Sequence, residues 1–227
     1  MSNTLLKNNT AEWADAMGDD HTFTSVNTPL REDAFALDDD TKIDLIEQNF
    51  RQIMEILGLD LSDDSLQGTP RRVAKMYVKE IFSGLNPQNM PALTLFNNEY
   101  KYGEMLIERD IQFNSNCEHH FVPIVGKAHI AYISSGKVIG LSKLHRIVNH
   151  FARRPQVQER MTIQVGKALQ EVLETQDVAV ILDADHMCVS SRGVHDHSSS
   201  TVTSFYGGIF QDQSKRDEFV QLVKLKA

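Results

Sequence analysis

Glu104-Met105-Leu106-Ile107-Glu108-Arg109-Asp110-Ile111-Gln112-Phe113 leads into Asn116-Cys117-Glu118-His119-His120, joining a β-textured run to a cluster of metal-type side chains. The run is rich in branched and aromatic residues with partial alternation, as is Ile124 to Ile133, and a shorter one spans Leu93 to Phe96. Such texture predicts strands. Val178 to Val189 is a further predicted strand, and Thr201 to Phe210 another. Two helices are expected between these groups. Ser142 caps one through Leu144, Ile147, Val148 and Phe151, and Pro155 opens the other through Val157, Met161, Val165, Leu169 and Val172. Ser214 begins a terminal helix through Phe219, Val220 and Val223.

Working outward, Ile43, Ile46, Phe50, Ile53, Met54 and Leu57 recur at helical spacing over Asp40 to Leu57, with acidic residues at the start and Gly58 as the stop. Thr69 as N-cap and Pro70 in the first turn predict a second helix running through Val73, Met76, Tyr77 and Ile81 to Gly84. Residues 1–38 read as a polar, acidic extension, where a short helix is expected over Leu5 to Met17 and a break at Asn27-Thr28-Pro29. Helices, strands, two helices and strands in that order predict an α+β fold with a mainly antiparallel sheet.

The net charge of −8 argues against general binding to nucleic acid or to anionic membranes. The N-terminus shows no basic region followed by an apolar run, so no signal peptide is expected. No apolar segment is long enough to span a bilayer. A cytoplasmic protein is the expectation.

The chain has two cysteines and nine histidines. The second cysteine lies in Asp185-His186-Met187-Cys188. Zinc takes thiolate and imidazole ligands in a tetrahedron, and a catalytic site uses three of them. Cys117 and His120 are spaced so that one tight turn brings them together, with Cys188 as the distant third ligand. On a strand, His186 and Cys188 would share a face, setting an unligated imidazole beside the metal, and His119 could add another. A disulfide or two buried thiols would be the plainer reading. A disulfide is disfavoured in a reducing compartment.

An anion site is expected nearby. Lys143 and Arg146 fall three apart on a predicted helix and so lie on one face, and a helix N-terminus offers free amides. Arg192, four residues past Cys188, adds a third cation. Within a chain this acidic, cations gathered near a metal cluster favour a polyphosphate ligand over a merely solvated face. Arg71-Arg72 sit at a helix start, where the dipole does not favour cations. A solvated face is one reading of the pair, and an arginine placed to reach an anion is the other.

Several stretches, in order, resemble the GTP cyclohydrolase I family: Thr69-Pro70-Arg71-Arg72-Val73-Ala74-Lys75-Met76-Tyr77, Cys117-Glu118-His119-His120, Gly140-Leu141-Ser142-Lys143, Arg154-Pro155-Gln156-Val157-Gln158-Glu159-Arg160, His186-Met187-Cys188, Ser191-Arg192-Gly193 and Thr201-Val202-Thr203-Ser204. The resemblance covers residue 40 or so to the C-terminus. It implies the tunnelling fold, an antiparallel sheet backed by two helices, over 91–227, with an N-terminal helical region over 39–90. It implies a homodecamer of two stacked five-sheet rings, with active sites between subunits. It implies that GTP and water give formate and 7,8-dihydroneopterin triphosphate, the first step of folate or pterin biosynthesis. Carried over by residue, Cys117, His120 and Cys188 hold zinc, and His119 and His186 are the acid/base pair. Glu159 and Gln158 read guanine. Ser142, Lys143, Arg146 and Arg192 hold ribose and triphosphate, with Arg72 from another subunit. His145, His150, His195 and His197 receive no role.

These residue types suit that chemistry. Zinc brings the pKa of water to about 7, and an imidazole with a pKa of about 6.5 can move protons at neutral pH. A carboxylate accepts both N1–H and the 2-amino group of guanine, neither of which adenine offers. Two rivals stand beside this reading. A zinc-stabilised oligomer or metal sensor explains the ligands but not the cations. A related tunnelling-fold enzyme acting on another pterin or purine would not need the triphosphate cations. The His-x-Glu and Pro-Cys-x-x-Cys signatures of nucleobase deaminases are absent.

Overall fold

The computed structural model describes residues 25–225, so the helix expected over Leu5 to Met17 lies outside them. Helix α1 spans Asp39–Ile56, and the Asp38 side chain caps it by accepting from Thr41 N. Helix α2 spans Thr69–Met76 and widens into a π-turn over Tyr77–Ile81, so the continuous helix expected to Gly84 is shorter and irregular. Its N-cap is Gly68 rather than Thr69, because the Thr69 hydroxyl accepts from Arg72 Nη2 at 2.8 Å instead. Arg71 ties the two helices together through Asp44 and through Glu47, the latter at 2.9 Å. Its cation therefore serves a structural ion pair.

Strands follow as β1 Leu95–Asn97, β2 Leu106–Cys117, β3 Pro123–Tyr132 and β4 Lys137–Ile139. Then come α3 Leu141–Ala152, β5 Pro155–Gln156, α4 Gln158–Leu173, β6 Val178–His186, a single helical turn Met187–Ser190, β7 Thr201–Tyr206 and α5 Gln213–Lys224. The main sheet has the order β5-β2-β3-β6-β7 and is antiparallel except for the short parallel pairing of β5 with β2, while β1 and β4 form a separate antiparallel pair. The α+β class with a mainly antiparallel sheet is therefore what the chain adopts.

Helix α3 packs on β2 and α4 on β6 and β7, so both lie over the sheet. The core between them is Ile111, Phe113, Ile124, Ala128, Ile130 and Tyr132 from strands against Leu144, Ile147, Val148, Met161, Val165 and Leu169 from helices, all buried. Gly166 allows α4 its close approach, since a Cβ there would stand 2.3 Å from the Phe205 ring. A smaller cluster of Met105, Ala131, Ala179, Phe210 and Phe219 unites strands with α5. The register of β2 on β3 shifts between Glu108 and Ile111, with Asp110 at φ 57°. This is a bulge, and it interrupts the alternation of β2.

The last strand ends at Tyr206 and not Phe210, since Gly208–Gln211 is a 3-10 turn, and three other boundaries differ from expectation for local reasons. Gly140, not Ser142, is the N-cap of α3, because the chain is extended at Gly140 and already helical at Leu141. Pro155 does not open α4; it pairs as a strand with Asn116, and the helix begins three residues later at Gln158. The strand expected to reach Val189 ends at His186, where the chain turns helical. Ser190 and Ser191 hydroxyls donate back to the carbonyls of His186 and Met187 across this turn, a local bond that competes with a sheet ladder.

Candidate functional site

The ladder Ser115↔Ile124↔His186 runs across three strands and brings the ends of β2 and β6 to one end of the sheet. Cys117 is the last residue of β2 and is buried. The chain then reverses tightly: Phe121 N donates to Cys117 O at 2.8 Å, with Phe121 at φ 54°. The Phe121 ring packs against Phe82 and Tyr77, centroids 5.0 and 6.5 Å away, so the N-terminal helices brace this turn.

Among the described residues, the ligand atoms of Cys117, His120 and Cys188 all lie within 4.8 Å of one another. Cys117 Sγ is 3.8 Å from His120 Nδ1. Edges of a zinc tetrahedron built from sulfur and nitrogen ligands are about 3.5–3.8 Å, so the trio fits a metal with three protein ligands. Both cysteines are free thiols, not a disulfide. Burial and the neighbouring Cys117 push the Cys188 thiol up to about 11. Cys188 arrives from the helical turn, so the expected strand-face alternation with His186 does not describe it.

His186 instead donates from Nε2 to Gln158 Oε1 at 2.7 Å. Gln158 is buried and its amide nitrogen donates to Leu182 O, Thr201 O and Thr203 Oγ1. Those three acceptors fix the amide's orientation, hence its oxygen toward His186 and the proton on His186 Nε2. Burial lowers the His186 pKa, opposed by the charges of Glu159 and Asp185. His119 Nδ1 lies 3.7 Å from Cys117 Sγ. His119 thus stands against Cys117 in the turn after β2, and His186 is the last residue of β6.

The remaining expected residues are more dispersed. Glu159 is exposed and lines a cavity of about 540 Å³ with Ser25, Val26, Val157, Arg160 and Ile163. Arg146 lines a different cavity of about 570 Å³ with Lys79, His145, His150 and Arg153. Ser142 is exposed in the first turn of α3, and Lys143 Nζ donates to Ala92 O at 2.9 Å. Arg192 Nη1 donates to His120 Nε2 at 2.7 Å, which requires a lone pair on that nitrogen. Arg72 Nη2 donates to Thr69 Oγ1 one turn back and to Ser65 O in the loop before the helix. One chain therefore brings the metal trio, His119 and Arg192 together but places Lys143, Arg146 and Arg72 elsewhere.

Two of the unassigned histidines have local partners. His145 Nε2 lies 3.0 Å from Glu108 Oε1. Burial and the adjacent Arg154 charge lower the His150 pKa to about 4, and it accepts from Arg154 Nη2 at 2.6 Å. Sequence reasoning passed over a buried ion pair, Glu118 with Arg160. Its only signal was an acidic residue inside the metal cluster. No helix among the described residues is long and apolar enough to cross a membrane.

Comparison with known proteins accords with this geometry. Residues 46–224 match the family described as GTP cyclohydrolase I. A protein named GTP cyclohydrolase 1 from Flavobacterium johnsoniae is 54% identical over 217 residues, 96% of this chain and 97% of the relative. Proteins of the same name from Yersinia enterocolitica and Citrobacter koseri are 53% and 52% identical over 200 residues, 88% of this chain and 90% of each relative. With a match of this extent over the segments that build the site, the chain belongs to the GTP cyclohydrolase I family, enzymes of the hydrolase class.

Proposed function

We propose that this chain opens the guanine imidazole ring of GTP, releasing formate and yielding 7,8-dihydroneopterin triphosphate, with zinc held by Cys117, His120 and Cys188. The observation that carries the reading is the close trio of two thiols and an imidazole, with His119 against Cys117 and His186 held by Gln158 two residues before Cys188. Bound there, zinc supplies a Lewis acid that makes water nucleophilic at neutral pH. His119 and His186 move protons during ring opening and reclosure. Gln158 holds the proton of His186 on Nε2, which leaves Nδ1 as its basic nitrogen.

Glu159 accepts N1–H and the 2-amino group of guanine, and Gln158 joins that anchor to His186. Ser142, Lys143, Arg146 and Arg192 bind ribose and triphosphate. A neutral imidazole that gives one nitrogen to a metal carries its proton on the other. The Arg192 contact with His120 Nε2 then loses its acceptor, and the guanidinium is released for an anion. Glu159 and Arg146 line different cavities in one chain, so a complete site draws on neighbouring subunits, Arg72 among their contributions. We therefore favour the tunnelling fold assembled as a homodecamer, in a cytoplasm that keeps both thiols reduced. The catalytic unit is 91–227 and the helical region 39–90.

The test is direct: purified protein incubated with GTP should release formate and give neopterin fluorescence after oxidation, with light scattering run at assay concentration. Zinc-loaded protein that binds GTP without releasing formate would leave a metal-stabilised scaffold. A fully active monomer would end the shared-site reading.

Glu159→Gln should weaken GTP recognition and leave zinc in place. Losing a charged hydrogen-bond partner costs about 1.5–3 kcal/mol, which is roughly 10- to 150-fold in kcat/KM. Unchanged kcat/KM for GTP in this variant would remove Glu159 from the guanine site.

A further inference from the structure

Glu118 stands in the turn that carries Cys117, His119 and His120, yet the chemistry above gives its carboxylate no task. The structure gives it a firm partner. Arg160 Nη1 donates to Glu118 Oε2 at 2.6 Å and Nη2 to Oε1 at 2.9 Å, the two-pronged arrangement that fixes both oxygens. The Arg160 side chain is 3% exposed and that of Glu118 19%. Arg160 Nε donates to Ser25 O at 2.9 Å, and Glu118 N donates to Gln156 O at 3.0 Å. Glu118 Oε1 in turn lies 3.8 Å from His119 Nε2, while His119 Nδ1 lies 3.7 Å from Cys117 Sγ. One edge of the His119 ring faces the carboxylate and the other faces the metal trio.

We propose that Glu118, clamped by Arg160, is a positioning residue that sets the orientation of the His119 ring beside the metal trio. The inference rests on the reading of His119 as a proton-transfer group. The 3.8 Å separation from Nε2 is a charge contact, longer than a hydrogen bond, so the clamped carboxylate acts on the ring as a fixed negative charge. Arg160 is what prevents the carboxylate from swinging toward the metal itself. A buried ion pair is rarely more stabilising than apolar side chains of the same size, so stability alone is a weak reason for one here. Its place against His119 supplies a stronger one.

The experiment uses the full chain loaded with zinc. Replacing the pair together, Glu118→Gln with Arg160→Met, avoids stranding a buried charge. This double variant should melt near the parent temperature and hold the same zinc. Its KM for GTP should stay within about twofold, with kcat down roughly 10- to 100-fold, the range typical of a group that orients a metal-site residue. In a His119→Ala background the same two substitutions should cost nothing further in kcat, an outcome that a scaffolding role does not produce. Parent kcat in the folded, zinc-loaded double variant overturns the proposal. So do equal losses in both backgrounds, and so does a double variant that fails to fold or to hold zinc, which marks the pair as scaffold. If His119→Ala alone keeps full kcat, the acid/base reading of His119 has failed and takes this inference with it. If His119→Ala is inactive but the double variant is not, only the inference fails.

Discussion

Cys188→Ser should leave the protein without stoichiometric zinc and without measurable formate release. Three ligands are the minimum for a catalytic zinc site, and a neutral hydroxyl is a far poorer ligand than a thiolate. The structure sharpens the expectation. Cys188 comes from a helical turn that follows β6, whereas Cys117 and His120 come from one tight turn after β2. Its loss therefore removes the whole contribution of the second segment to the trio, and no other Cys, His, Asp or Glu among the described residues completes it. The Cys188 thiol, pushed up to about 11, is protonated at neutral pH, so loading a metal expels that proton. Metal content by mass spectrometry under native conditions, read together with turnover, checks the prediction. A variant that keeps one zinc per chain removes Cys188 from the ligand set.

His186→Ala should do the opposite to metal and the same to turnover. Its Nε2 is committed to Gln158 Oε1 at 2.7 Å, and it is not one of the three groups that converge within 4.8 Å. Zinc should be retained, while turnover should fall about 10²–10⁴-fold, the usual contribution of a general acid or base. A zinc-free His186→Ala protein makes His186 a ligand. A zinc-loaded protein with undiminished turnover removes it from proton transfer.

The residues that carried the sequence reading furthest were those whose signal is periodic. Ile43, Ile46, Phe50 and Met54 placed α1 to within a residue at each end. The alternating run before Cys117 placed β2, although the strand continues into the cluster itself. The spacing of Cys117 and His120 was enough to predict a shared turn, because that geometry is local. Elements decided by competition among neighbours were not legible. Met187-Cys188-Val189 has strand composition, but serine hydroxyls bonding back to the chain favour a turn. Thr69 and Ser142 have the right side chains for helix caps, yet Gly68 and Gly140 hold those positions. The ion pair of Glu118 with Arg160 depends on α4 meeting the β2 turn, and an arginine that ends up buried looks like any other in a sequence.

The three-strand ladder at the metal end also has a kinetic side. Pairing of β2 with β3 closes a short hairpin, whereas the partnership of Ile124 with His186 spans two helices and their connections. Long closures cost more chain entropy and form later. Folding is therefore expected to present Cys117 and His120 early, as a half-site of two ligands, and to deliver Cys188 only once β6 has docked. The half-site has the lower affinity, so zinc taken up tightly during refolding marks the completion of the sheet and not its beginning.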